Sequence, residues 1–135
     1  MSITTTLAAF QTINRAITGV TAAPAVYPGK LSDAATAITL PGGCTWRAAG
    51  LGGGRKAERV YNLRFYVAPE GNEAGTALAT CNTLLEAVGL VYRATQAVDG
   101  HPVKAVSDAG ILQTLPYGGQ QYYGFEFRVT LLEEV

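Results

Sequence analysis

Charged side chains are scarce in this 135-residue chain. Asp, Glu, Lys and Arg make up 15% of the residues, and the formal net charge is zero, whereas an average soluble domain is about 25% charged. A balanced charge excludes a global field that would draw the protein to nucleic acid or to an anionic membrane. Surface charge normally keeps monomers apart, so the deficit favours a surface that is partly covered in an assembly. The alternative is a weakly charged soluble monomer.

Residues that perform catalysis or hold metals are also few. One histidine, His101, and two distant cysteines, Cys44 and Cys81, cannot supply the four ligands of a closed zinc site. His101 falls in a predicted turn with no nucleophile at a suggestive spacing, which favours a solvent-facing histidine over a general base. Both cysteines fit apolar packing better than reactivity. We therefore expect no catalytic residue, no cofactor and no metal, and a protein that is not an enzyme.

Long apolar runs are missing as well. The first residues show no basic segment leading into an apolar run, so we expect no secretory signal. We find no apolar stretch near the about 20 residues that cross a bilayer. These features predict a chain made and kept in a cytoplasm, with thiol cysteines and no membrane partner.

The chain does contain a glycine-rich basic loop, which we place at residues 48–57. Its centre reads Gly50-Leu51-Gly52-Gly53-Gly54-Arg55-Lys56, with Arg59 just behind. A phosphate-binding Walker loop needs a lysine directly followed by Ser or Thr, and a helix afterwards. Here Arg55 falls where the lysine is required, and Ala57 follows Lys56, so no hydroxyl is available. Consecutive glycines are costly to order, so the loop is either a mobile arm with basic contacts or a tolerated flexible excursion.

Charge is unevenly spread along the chain. Between residues 47 and 64 there are five basic residues against the single acidic Glu58, whereas Glu133 and Glu134 make the end acidic. This asymmetry is typical of a protein that presents different faces to different neighbours.

Helical periodicity appears twice. In the first segment the apolar residues Ile3, Leu7, Phe10, Ile13 and Ile17 recur at helical spacing. We assign six residues to its other face, which is polar but almost uncharged: Thr4, Thr5, Ala8, Gln11, Thr12 and Arg15. The second helix is predicted over Glu73–Arg93, capped by Asn72, with Cys81 on its apolar stripe.

The remaining segments alternate as strands do. Two short strands are predicted over Ala35–Leu40 and Cys44–Arg47, separated by a Pro-Gly-Gly stop, and a long one over Arg59–Ala68. After the second helix we predict a turn at residues 99–102, a hairpin around 107–110, a loop at 116–119 and a last strand. On the last strand Glu126 and Arg128 point outward. The order α-β-β-β-α-β-β-β predicts an α+β single domain, with two helices packed on one face of a mostly antiparallel sheet.

Tyrosines cluster around the Gly-Gly loop. Tyr117, Tyr122 and Tyr123 are three of seven tyrosines, and tyrosine is enriched where proteins meet. They predict an interface, or alternatively a belt of half-buried rings at the rim of the sheet.

The whole pattern resembles the tail terminator (tail completion) proteins of long-tailed bacteriophages. The resemblance spans essentially the full chain, and no single motif in it is diagnostic. These segments carry it: the helix Ser2–Thr18, the connector Ala25-Val26-Tyr27-Pro28-Gly29, the run Ile38-Thr39-Leu40-Pro41-Gly42-Gly43, the strand Arg59–Ala68, the helix Glu73–Arg93, and the closing strand Tyr122-Tyr123-Gly124-Phe125-Glu126-Phe127-Arg128-Val129.

The resemblance implies a structural virion protein, assembled in the bacterial host cytoplasm and located at the tail–neck junction. A homohexameric ring would cap the head-proximal end of the tail tube, end its polymerisation and dock the head-closure (neck) protein. DNA must cross such a ring, so Arg55, Lys56 and Arg59 are expected to contact it non-specifically or to contact a neighbouring subunit. Two alternatives stay open: another head–tail joining or tail-tube-related protein, and an α+β domain that binds a small molecule between its helices and sheet.

Overall fold

The structure, a computed structural model, describes residues 3–24, 27–28, 31, 35–48, 55–71, 74–108 and 113–134. This part of the chain holds two helices and a mostly antiparallel six-stranded sheet, which confirms the α+β class. The elements in chain order are α1 (Ile3–Arg15), β1 (Thr36–Ala48), β2 (Arg55–Pro69), α2 (Ala74–Ala94), β3 (Ala97–Val98), β4 (His101–Asp108), β5 (Gln113–Tyr117) and β6 (Gln120–Glu134). The predicted order of elements is wrong in two places.

The first error concerns β1, which is one strand and not two. The Pro-Gly-Gly segment forms a shift in register between Pro41 and Cys44, and pairing with β2 resumes beyond it. A bulge absorbs these residues without ending the strand, and β1 lies at the edge of the sheet, where proline is tolerated. Gly42 is needed there, because a Cβ at this position would lie 2.8 Å from the carbonyl oxygen of Val60.

The second error concerns the segment after α2, where the described residues form four strands and not three. The sheet order is β1-β2-β6-β4-β3, and β5 also pairs with β6. Because β2 occupies one edge of β6 along Tyr122–Glu134, β4 and β5 follow one another along the opposite edge. The predicted hairpin around residues 107–110 is therefore wrong: its two arms each pair with β6 and not with each other.

Two tight turns join neighbouring strands. Asp99 and Gly100, with φ of 51° and 77°, connect β3 to β4, and Gly118 and Gly119, with φ of 58° and 82°, connect β5 to β6. Two-residue hairpin loops of this kind require positive φ at both positions. Since the first turn needs only two residues, His101 already belongs to β4 and is 4% exposed. The prediction of a solvent-facing His101 is wrong.

The main core lies where alternate residues of β2 and β6 meet side chains from the helices. The strand residues are Tyr61, Leu63, Phe65, Val67, Phe125, Phe127, Val129 and Leu131, as the predicted alternation requires. From α2 the core receives Ala77, Cys81, Leu84, Val88 and Tyr92. Cross-strand stacking of Phe65 on Phe125, with ring centroids 4.9 Å apart, ties the two long strands together.

The buried side of α1 differs from its apolar periodicity. Thr6, Gln11 and Asn14 are buried together with Phe10, whereas Ile3 is 39% exposed. The assignment of Gln11 to the face opposite the buried one is wrong. Its amide lies inside the protein because it donates hydrogen bonds to backbone carbonyls of Pro24 and Ala37.

By length and composition alone, α2 could cross a membrane, contrary to our sequence-based expectation that no stretch approaches that length. This is weak evidence for a membrane span, because a helix that packs on a soluble core passes the same test. In this fold α2 packs its apolar stripe against β2 and β6.

Candidate functional site at the base of the glycine-rich loop

The glycine-rich loop joins two paired strand ends. Ala48 of β1 and Arg55 of β2 are register partners, and residues 49–54 between them lie outside the described residues. The predicted mobility of this loop stays a prediction. The expectation that a strand follows it is confirmed by β2, and this position therefore lacks the helix N-terminus that favours phosphate.

The basic segment that flanks this loop lies next to the acidic end of the chain. Lys56 lies opposite Arg47 on one side and opposite Glu134 on the other. The sequence asymmetry in charge therefore does not produce two separate charged faces here, because antiparallel pairing of β2 with β6 brings residues 55–59 next to residues 131–134. For Arg55 and Lys56 the structure gives the strand and the backbone partners in the sheet.

Arg59 is engaged within the protein. Its Nε lies 3.9 Å from Oε2 of Glu133, and its Nη1 donates to the carbonyl oxygen of Gly42 at 3.4 Å. The Arg59 side chain is 16% exposed, and its buried Nε has no hydrogen-bond partner among the described residues. Arg59 thus connects β2 to the bulge in β1 and to the end of β6, and its guanidinium is engaged within the protein.

Glu133 also accepts a hydrogen bond from the hydroxyl of Tyr61 at 2.9 Å. Burial, and then the neighbouring Glu133 carboxylate, raise the pKa of Tyr61. At the same end of the molecule Asp99 accepts hydrogen bonds from Thr5 and Thr6, each at 3.1 Å. These contacts fasten the start of α1, the β3–β4 turn and the end of β6.

The described polar side chains at this end of the molecule bond one another. Within the part of the chain that the structure describes, no group of three or more His, Cys, Asp or Glu side chains is arranged to hold a metal ion. Farther along the two long strands, Glu126 lies between Arg64 and Arg128, with Nε–Oε distances of 3.2 and 3.0 Å. Arg64 and Glu126 form a cross-strand pair, which contributes roughly 0.2–1 kcal/mol, whereas Arg128 lies two residues from Glu126 on the same strand.

The clustered tyrosines lie in different surroundings. Tyr122 is 5% exposed and packs edge-on against Tyr66, and Tyr117 also packs against Tyr66 and donates its hydroxyl to the carbonyl of Pro28. Tyr123 instead lines a shallow polar cleft of about 540 Å³. Of these three residues, Tyr122 is buried and Tyr117 and Tyr123 are half-buried, and their role in an interface stays a prediction.

A second, more apolar cleft of about 410 Å³ lies between the end of α1 and the start of β1. Arg15 is the one charged residue among the described residues that line it, and the Arg15 guanidinium donates to the carbonyl oxygen of Ala23 at 2.8 Å. The remaining described lining residues are Thr21, Ala22, Ala23, Pro24, Pro28, Leu31 and Thr36. The described lining residues therefore offer mainly apolar contacts and few polar groups.

The outer surface of the two helices is almost uncharged. Over its 13 residues α1 carries one charged side chain, Arg15, and over its 21 residues α2 carries two, Glu86 and Arg93. Leu90 on α2 is 67% exposed and Leu78 is 36% exposed. Exposed leucines singly are common, but a helical surface with so few charges is unusual for a protein that stays alone.

The buried hydroxyl of Tyr92 leads to a prediction about alkaline pH. Burial raises the pKa of Tyr92 above its ordinary value of 10.0, so above pH 10 the unfolded chain releases a proton that the folded chain keeps. The free energy of unfolding should therefore fall as pH rises above 10, by up to about 1.4 kcal/mol per pH unit for this group. Denaturant titrations at pH 9, 10 and 11 measure it. Tyr92→Phe should flatten the slope; an unchanged slope would contradict the assignment to Tyr92.

No protein-family model matches the chain, and no curated protein matches it.

Proposed function

We propose that this chain is a structural virion protein that forms an oligomeric ring on the head-proximal end of a phage tail tube. The ring ends tube polymerisation and joins the tail to the neck. One observation carries the assembly part of this proposal: the helical surface has three charged residues, Arg15, Glu86 and Arg93, and exposes Leu90 and Leu78. The resemblance to tail terminator proteins supplies the location and the partners.

The proposed protomer has both helices on the same face of the sheet. Phe10 of α1 lies 5.0 Å from Tyr61 and 6.2 Å from Tyr92, measured between ring centroids, and Tyr92 of α2 lies 5.7 Å from Phe127. These contacts all involve the core side of β2 and β6, which supports the arrangement. The opposite side, with Arg64, Glu126 and Arg128, then presents a charged surface. A head-to-tail ring needs two different surfaces on each subunit, and such a protomer has them.

A contact with DNA in the lumen is the finer part of the proposal. Because Arg59 already faces Glu133, the contact falls to Arg55 and Lys56, at the base of the loop. Replacing both by serine tests it: non-specific phosphate contacts should be lost without loss of the ring. Normal rings together with fully infectious particles would remove the DNA role and leave the ring proposal intact.

The ring itself is tested by its mass. Light scattering of the purified chain, alone and with tail-tube protein, should give a particle of about six times the 14.1 kDa protomer mass, with a ring visible by negative-stain microscopy. Leu90→Glu should dissociate it without changing protomer stability, because an exposed leucine contributes little to the monomer whereas a charge buried in an interface is costly.

The matched control for Leu90→Glu is Gln120→Glu, which adds the same charge at an exposed position at the start of β6. Rings from the control and none from Leu90→Glu place the contact on α2. A monomer that makes no ring even with tube protein present would overturn the proposal.

The alternative of a small-molecule-binding domain is favoured by the apolar cleft of about 410 Å³ beside Arg15, which falls within the usual size of ligand sites. Under that alternative the chain stays monomeric, and apolar ligands protect it against thermal unfolding. The mass measurement separates the two functions.

A further inference from the structure

β1 is the outermost strand on one side of the sheet, and the outer edge of such a strand can pair with another chain. β1 is the terminal strand, paired with β2 on its inner side. Its first residues, Thr36-Ala37-Ile38-Thr39-Leu40, are uncharged and rich in β-branched side chains. Short uncharged segments of this kind pair readily with copies of themselves when their backbone groups are exposed.

The chain itself occupies the outward-facing backbone groups of this segment. The backbone N–H groups of Thr21 and Ala22 donate to the carbonyl oxygen of Ala35 at 2.9 and 3.2 Å, and the N–H of Ala37 donates to Ala22 at 2.9 Å. The next two outward carbonyls are taken by side chains. Gln11 Nε2 donates to Ala37 at 2.7 Å, and the hydroxyl of Tyr27 donates to Thr39 at 2.7 Å.

The two side-chain contacts differ in how they are held. Gln11 is 2% exposed and belongs to the core, so it is fixed by folding. Tyr27 is 45% exposed, and the contact that it makes with β1 is its hydroxyl on Thr39. Burial raises the pKa of the Tyr27 hydroxyl, so the donor stays protonated through the physiological range.

We propose that Tyr27 guards the outer edge of β1 at Thr39, and so prevents a strand from a second copy of this chain from pairing there. The hydroxyl occupies the acceptor that an incoming N–H would use, and this hydrogen bond holds the phenol group of Tyr27 at the edge. Any assembly of this protein must then use other surfaces, or must first displace Tyr27.

The experiment compares Tyr27→Phe and Tyr27→Ala with the wild type and with Tyr92→Phe. The control removes a hydroxyl hydrogen bond inside the core, from Tyr92 to Asn14, and keeps the hydroxyl of Tyr27 that bonds Thr39. Sedimentation velocity over a range of concentrations measures the mass fraction above the main wild-type species, and amide I infrared spectra measure intermolecular sheet. The free energy of unfolding is measured for every variant.

Tyr27→Phe should strengthen association beyond the main species about fivefold, which corresponds to one hydrogen-bond acceptor made available. Tyr27→Ala should strengthen it further, because the shielding ring is also lost. No increase in either variant would overturn the proposal. An equal increase in Tyr92→Phe would overturn it too, since general destabilisation would then explain the association. Both results are independent of whether the main species is a ring.

Discussion

Gly124→Ala is expected to lower the free energy of unfolding by about 3 kcal/mol or more, which is at the upper end for overpacking of a well-packed interior. A Cβ at this position would lie 2.1 Å from the carbonyl oxygen of Phe65 and 3.1 Å from its carbonyl carbon. Both are backbone atoms of the neighbouring strand, so no side chain can rotate away. The register of β2 against β6 shifts just beyond, between Tyr66 and Ala68, where the two backbones approach closely.

The matched control is Gly89→Ala in α2, where an added Cβ meets no atom within 4 Å. Alanine is a better helix former than glycine by up to about 1 kcal/mol, so this variant should be as stable as the wild type or more so. Urea denaturation followed by circular dichroism measures both. A Gly124→Ala protein that unfolds at the wild-type urea concentration would contradict the close approach of β2 and β6.

Gln11→Ala is expected to lower the free energy of unfolding by about 3 kcal/mol. The amide of Gln11 donates to Pro24 and Ala37 at 2.8 and 2.7 Å. Its Oε1 accepts from Asn14 at 3.0 Å and from Thr39 at 2.8 Å. Removing the side chain takes the amide donor away from the carbonyl oxygens of Pro24 and Ala37, whereas Asn14 and Thr39 still hydrogen-bond each other at 3.3 Å. Each buried group left unsatisfied costs about 1–3 kcal/mol.

Two further variants separate hydrogen bonding from packing at this position. Gln11→Met keeps the length of the side chain and should be destabilised nearly as much as Gln11→Ala, because the carbonyls stay unpaired. Thr12→Ala, at the next and exposed position of α1, removes only a hydroxyl that bonds Ala8 and should be near neutral. If Gln11→Met restored wild-type stability, lost volume and not lost hydrogen bonds would explain the effect.

Helical periodicity does not predict the polar network around Gln11, and the reason is physical. Helical periodicity sorts residues by hydrophobicity, so it places amides on the solvent side. Here Asn14 accepts a hydrogen bond from Tyr92 at 2.5 Å and donates to Gln11, and the network is satisfied only once α1, α2 and β1 are assembled. The spacing of Gln11 and Asn14, three residues apart beside the buried Phe10, was the available signal.

The candidate site likewise combines features that the local sequence predicts with features that depend on distant pairing. The glycine-rich loop, its basic flank and the strand that follows were readable from residue types. The pairing of Arg59 with Glu133 was not, because 74 positions separate them along the chain and only the register of β2 with β6 joins them.

Local sequence patterns are enough to predict the α+β class, the alternation of β2 and β6, the apolar stripe of α2 and the low charge of the helical surfaces. Each of these is a local pattern, since period and composition are properties of neighbouring residues. Only the tertiary structure decided that β1 continues through Pro41-Gly42-Gly43, that β4 and β5 share one edge of β6, and that His101 and Gln11 are buried. These depend on which distant strand supplies hydrogen bonds, and no local pattern contains that information.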